Sequence, residues 1–196
     1  MRTVDPAKHE ARRGQILAAA ARCFARKGFG QTRTADICAE AGMSSGNLFH
    51  YFDSKHAIFA AIVEQEGTET KALFAELSTA DPWAALIGFF DLVVDLADGD
   101  YARLALEVSA EAGRDERIAE LVAANDRTLR TGLAELVERA VAAEVIDPGF
   151  AADTAATWLA ALVDGLFNRI AVDPDFSPKR ERKTLRLLVE RMLRRA

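Results

Sequence analysis

Residues 31–55 read QTRTADICAEAGMSSGNLFHYFDSK, and the fold is decided here. Thr34 to Ala41 forms a short helix, with Ile37 and Ala41 four apart on one face. Gly42 follows where a left-handed helix stop needs a residue without a β-carbon. Ser44 can then cap a second helix, SGNLFHY, by accepting from its unpaired backbone N–H groups. Leu48 and Phe52 lie four apart and face inward toward Ile37. Ser45, Gly46, Asn47, Phe49 and His50 are left on the outer side and the starting end. Two short helices joined by a glycine turn make a helix-turn-helix, whose second helix enters the major groove of DNA. Over this stretch alone, a capped helix pair packed purely for stability reads the same way.

The flanks separate the two readings. RRGQILAAAARCFARKGF (12–29), TRTADICAEAGMSSGNL (32–48) and FHYFDSKHAIF (49–59) resemble the tetracycline-repressor (TetR) family of transcription regulators. The aromatic FHYF followed by Ser54 and Lys55 is the most specific piece. Beyond residue 60 the likeness is only in length, helical pattern and phrases such as Leu162-Val163-Asp164-Gly165-Leu166.

The resemblance implies an all-α fold, with a three-helix DNA-binding head over residues 1–55. Residues 56–196 then hold about six helices for effector binding and dimerisation. By motif position, Ser45 and Gly46 meet base edges, with Asn47 beside them on the outer side. Thr34, Phe49, His50, Tyr51 and Lys55 meet phosphates. The chemistry agrees, because hydroxyls, a helix N-terminus and lysine are ordinary phosphate partners. The family commonly has tyrosine where this chain has Phe49, so no phenolic hydrogen bond is available there. Family members pair their last two long helices across a twofold axis. That implies a homodimer with Trp158, Leu162, Leu166, Leu188 and Met192 buried, Trp158 serving either interface or core. A twofold pair of heads implies a palindromic operator on double-stranded DNA.

The charge distribution fits a nucleic-acid partner. The chain carries a net charge of −5, but residues 1–55 hold nine basic and five acidic groups, net +4. The remaining 141 residues hold 16 basic and 25 acidic groups, net −9. A basic head on an acidic body steers a polyanion to one end. Half of the 196 residues are hydrophobic, and the longest apolar or glycine run, WAALIGFF at 83–90, is far short of the ~20 residues of a membrane span. MRTVDPAKHEARR lacks an apolar signal core, so a cytoplasmic protein with no membrane partner is expected. Cys23 and Cys38 fall on apolar helix faces as small buried hydrophobes.

Apolar periodicity and breaks predict the remaining helices. The first runs from about Glu10 to Lys27, stopped by Gly28, and the fourth from Asp53 or Ser54 to about Ser78. Asp81-Pro82 restarts a helix to about Asp98, and Tyr101 to Ala112 makes a shorter one. Then follow 114–143, 150–171 and 177–196, the 150–171 helix apolar or small on more than one side.

Enzyme chemistry is sparse. All three histidines (His9, His50, His56) lie in the first 56 residues, so the larger domain has neither histidine nor cysteine for zinc sets or triads. No phosphate loop, GxSxG or HExxH occurs, and no catalytic residue, metal or cofactor is assigned. Glu107 and Glu111 read as a solvated face flanked by Arg103 and Arg114.

Polar interruptions of apolar stripes mark a candidate effector pocket: Glu66 and Thr70 in the fourth helix, Asn125 in the seventh. Phe59, Trp83 and Phe90 are the expected aromatic walls. The plainer reading is that Glu66 rotates to solvent or pairs with Arg103 or Arg127. In a pocket, its carboxylate would favour a cationic or hydroxyl-bearing apolar molecule. The leading function is a repressor released from DNA by a small molecule. A ligand-independent DNA-binding regulator or architectural protein, and a helical protein or enzyme that binds no DNA, are the alternatives.

Overall fold

The computed structural model describes residues 5–97 and 99–194. Among these it has nine helices and no strand: α1 (Pro6–Gln31), α2 (Thr34–Ala41), α3 (Ser45–Tyr51), α4 (Lys55–Leu77), α5 (Pro82–Ala97), α6 (Asp100–Ala112), α7 (Glu116–Ala142), α8 (Ala152–Val172) and α9 (Pro178–Met192). The fold is all-α, as the sequence predicts.

Local chemistry sets the boundaries. Asp5 caps α1 by accepting from the Ala7 N–H at 3.1 Å, and Pro6 needs no hydrogen-bond partner at the first position, so α1 starts before the expected Glu10. At its other end Gly28 leaves helical geometry (φ 75°, ψ 162°), and one further turn carries the chain to Gln31. Gly42 takes the left-handed stop (φ 61°), and Ser44, Ser54 and Asp81 cap α3, α4 and α5. The expected end of α5 at Asp98 lies outside the described residues.

Two apolar clusters form. The head cluster joins Ile16, Leu17, Phe24, Ile37 and Leu48 to Ile58, Phe59 and Val63 of α4, Val108 of α6 and Ile118 of α7. Cys23 and Cys38 are buried in it as free thiols. The larger cluster packs α5 and α7 against α8 and α9, with Phe74 of α4 at its edge. The head cluster therefore extends past residue 55, onto the first turns of α4, and the body cluster takes up α4 again at Phe74.

α4 and α7 lie side by side in parallel, through a reciprocal pair of notches. Gly67 of α4 receives Asn125 of α7, and Gly132 of α7 receives the ring of Phe74. A β-carbon would come within 2.1 Å of Asn125 Oδ1 at Gly67, and within 2.2 Å of Phe74 at Gly132. The pair is tied by Asn125 Nδ2 donating to the Val63 carbonyl (2.8 Å). Near the far end, the Arg139 guanidinium donates to the Leu77 and Ala80 carbonyls (3.2 and 2.6 Å).

Charge also pins α9 on α5. Arg182 reaches Asp91 and Asp95, Arg186 reaches Asp91, and these guanidiniums hold the Asp91 carboxyl below the usual carboxylate range. α8 is long and apolar enough to cross a membrane by length and composition alone. Its Ala155, Ala156, Leu159, Ala160 and Val163 are instead core of the helical body.

Candidate nucleic-acid interface and ligand cavity

The outer side of α3 is open to solvent. Ser45, Gly46, Asn47 and His50 are exposed, and the Phe49 ring is 49 % exposed. Leu48 and Phe52 are buried beneath them, as four-residue spacing requires. Thr34, at the start of α2, is half-buried. Tyr51 is half-buried too, stacked on His9 of α1 with ring centres 4.6 Å apart, and His50 sits edge-on to both rings. The scaffold behind this face is ion-paired: Arg22 and Arg26 share Glu40 (2.7 and 2.6 Å), and Lys27 holds Asp36 (2.7 Å). Asp36 also accepts from the Arg33 N–H, which fixes the start of α2.

Lys55 is placed otherwise than the sequence suggests. Its ammonium donates to the carbonyls of Phe29 (2.6 Å) and Thr32 (2.9 Å), with the Gly30 carbonyl at 3.5 Å, and sits 4.2 Å from the centre of the Phe29 ring. With three carbonyls around its ammonium, Lys55 clamps the α1–α2 connection. Its partners stand 23 to 26 residues away, beyond any local pattern.

A cavity of about 640 Å³ lies between α4, α5, α6, α7 and α8. Glu66, Thr70 and Asn125, the three polar interruptions, all line it. The Tyr101 hydroxyl donates to Glu66, so neither an arginine nor open solvent is its partner. Arg103 faces Asp100 instead. Burial pushes the Glu66 carboxyl above its ordinary value, against the opposing effect of the Tyr101 hydrogen bond. Asp164 is also raised, first by burial and then by the nearby charge of Asp126, and both line the same cavity. Asp126 is paired with Arg130 at 2.8 Å.

The expected aromatic walls are elsewhere. Phe59 is buried in the head, against Phe24 and Phe29 at centroid distances of 5.0 and 4.8 Å. Trp83 and Phe90, seven apart on one side of α5, belong to the body's core. The rings that line the cavity are Phe89, one residue and about 100° round the helix, with Tyr101 and Phe167. α5 is apolar on several sides, so periodicity could not choose among them. Asp164 did leave a signal, as a lone carboxylate within the apolar run of α8. Glu107 is corrected as well: it accepts from the Phe29 N–H at 2.6 Å instead of facing solvent.

Of the expected interface residues, Trp158 (63 %) and Leu188 (49 %) are exposed, and Leu162 and Met192 are half-buried against the core. Leu166 is only 7 % exposed. It is one turn from Leu162 but on the core side of α8, so it belongs to the protomer's own packing.

Two family profiles cover this architecture: bacterial regulatory proteins of the tetR family over residues 16–62, and the C-terminal part of BetI-type transcriptional repressors over residues 84–194. The chain belongs to the TetR family. It is similar to the HTH-type transcriptional repressor Rv1474c of Mycobacterium tuberculosis, at 33 % identity with 95 % of each chain covered. Among solved structures, GusR of Salmonella enterica matches with a TM-score of 0.73 at 26 % identity (94 % of this chain, 96 % of that one). A transcriptional regulator from Saccharomonospora viridis in complex with choline matches with a TM-score of 0.75 at 29 % identity (92 % and 96 %). This TetR-family chain is thus a DNA-binding transcriptional regulator, not an enzyme.

Proposed function

We propose that this regulator is a homodimeric, cytoplasmic repressor that leaves a palindromic operator when a small organic cation enters the cavity. The observation that carries this reading is the path of α4. It begins at Lys55, which holds the α1–α2 connection, and reaches the cavity at Glu66, Thr70 and Leu73. One rigid helix thereby joins the reading head to the effector chamber.

On DNA, the exposed start of α3 enters the major groove, with Ser45, Gly46 and Asn47 toward base edges and Phe49 against a thymine methyl. Thr34, His50 and Tyr51 lie toward phosphates. Lys55→Ala is expected to lower operator affinity and melting temperature while leaving the salt slope of binding unchanged, since it loosens the head without removing a phosphate contact. A slope smaller in magnitude by about one would return the ammonium to a phosphate.

The ligand class follows from the cavity wall. Glu66 and Asp164 supply negative charge, Asp126 being already paired with Arg130, while Phe89, Tyr101 and Phe167 supply rings and no basic side chain is among the described lining residues. Carboxylates with aromatic faces suit a compact ammonium ion. The choline complex of a similar protein makes choline the first compound to try.

Glu66 makes binding pH-dependent. With its pKa raised above 4.5, it is protonated in the empty protein at pH values just above that ordinary value. A cation needs the carboxylate, so choline affinity is expected to rise with pH from about 4.5 and level off above the folded pKa. Stability of the empty protein runs the other way, falling as pH rises through the same window because the native state holds the proton more tightly. Glu66→Gln should weaken choline and reduce the pH dependence of affinity to the part contributed by Asp164, whose carboxyl is also raised and lines the same cavity. Isothermal titration across pH checks both, and Glu66→Gln protein that binds choline normally would remove this residue from the site. Operator affinity measured with and without choline tests the reading as a whole: unchanged affinity despite choline binding defeats it.

A further inference from the structure

The head is held from two sides at one residue, Phe29. Its carbonyl is taken by Lys55 and its N–H by Glu107 of α6, at 2.6 Å each. The kink makes this possible. Gly28 leaves helical geometry at φ 75°, so the Phe29 N–H turns out of the helix and needs an acceptor from elsewhere. Glu107 supplies it across 78 residues of chain, and its Oε1 lies only 3.1 Å from where a β-carbon on Gly28 would stand. The Phe29 ring is meanwhile packed against Phe24, Phe59 and His56.

α6 has a second side. Tyr101, Ala105, Leu106 and Ser109 line the cavity, and Tyr101 donates to Glu66 there. Val108, next to Glu107, lines the cavity and is also buried in the head cluster. One 13-residue helix therefore touches the ligand chamber on one face and grips the Phe29 backbone on another. A ligand that displaces Tyr101 or crowds Ala105 must move α6, and Glu107 moves with it.

From this geometry we propose that Glu107 is the positioning residue through which the cavity sets the reading head, its carboxylate leaving the Phe29 N–H when the cavity fills. This rests on the effector reading above. With Glu107 on Phe29, the end of α1 and the connection into α2 are fixed between two polar anchors. With it withdrawn, Lys55 is the one of these two anchors that remains, and the helix-turn-helix can shift as a unit against α6, its internal ion pairs intact.

The test uses the full chain, with choline as probe and Ala105→Phe as a perturbation that fills the cavity from α6 without any ligand. In wild type, choline is expected to weaken operator binding about tenfold, within the usual range for linked sites. In Glu107→Ala the weakening should fall below about twofold while choline still binds. Glu107→Gln, whose side-chain oxygen can still accept from the Phe29 N–H, should keep most of the response. Ala105→Phe should weaken operator binding alone but not on top of Glu107→Ala. Equal responses with and without Glu107 overturn the proposal and leave the effector reading standing. If choline leaves wild type unmoved, choline as effector falls and Ala105→Phe decides, an equal or absent effect overturning the proposal. Amide exchange at Phe29, with Glu107 intact, reads the contact without removing it: Ala105→Phe should speed it tenfold or more, and unchanged exchange also overturns the proposal.

Discussion

Replacing Trp158 and Leu188 together by aspartate is expected to give a folded monomer whose operator affinity is lower by about 10²–10⁴-fold. The size comes from losing the second head, because tethered binding of two half-sites gains roughly that factor over one. The positions are chosen by exposure: both side chains stand out from α8 and α9, whereas Leu166, about two turns along α8 from Trp158, is part of the protomer core. Charges on the exposed pair should therefore leave melting of the isolated protomer nearly unchanged, while Leu166→Asp should unfold it. Sedimentation velocity with operator titration checks the prediction. A double variant that remains dimeric at micromolar concentration moves the interface to another face.

Phe59→Ala should cost about 3–5 kcal/mol of stability, the usual loss for truncating a buried phenylalanine. Its ring is 1 % exposed and contacts two other rings of the head. A pocket residue would behave differently, changing choline affinity with little effect on folding. The expected result is loss of head structure and operator binding, with choline affinity retained by whatever fraction stays folded. Chemical denaturation followed by calorimetry separates these outcomes, and a stable Phe59→Ala protein with weakened choline would put this ring back in the cavity wall.

Leu166 and Phe59, both expected at functional surfaces and both found in the core, mark where sequence reading stops. Caps and stops act over a few residues, so Gly42, Ser44, Ser54 and Asp81 could be placed from local chemistry. Glu66, Thr70 and Asn125 stood out as polar breaks in apolar stripes, and all three line the cavity. The rings did not stand out, because α5 has apolar residues nearly all round and its pattern gives no direction for Phe89 over Phe90. Glu107 was misjudged, and the carbonyl partners of Lys55 were missed, for a related reason. A charged side chain on a helix reads as solvated or as meeting a polyanion, and only the folded chain shows the backbone groups of residues 29–32 that receive it. Gly67 and Gly132 left no sign either, since a helical glycine announces a close neighbour only once the neighbour is known.

Those two glycine notches carry a mechanical consequence. Asn125 seated at Gly67 and Phe74 seated at Gly132 act as teeth in opposite directions, so α4 cannot slide along α7 without unseating both. A tilt would leave the notch at Gly67 seated if that joint were its fulcrum. From there to Lys55 is twelve residues, a lever arm of about 18 Å at 1.5 Å per residue. A tilt of about 5° at the joint carries the tip by about 1.5 Å over that rise per residue, half the length of a hydrogen bond. In a twofold pair the two tips would swing as pointers related by a half-turn, and the gap between them would change by up to twice that amount.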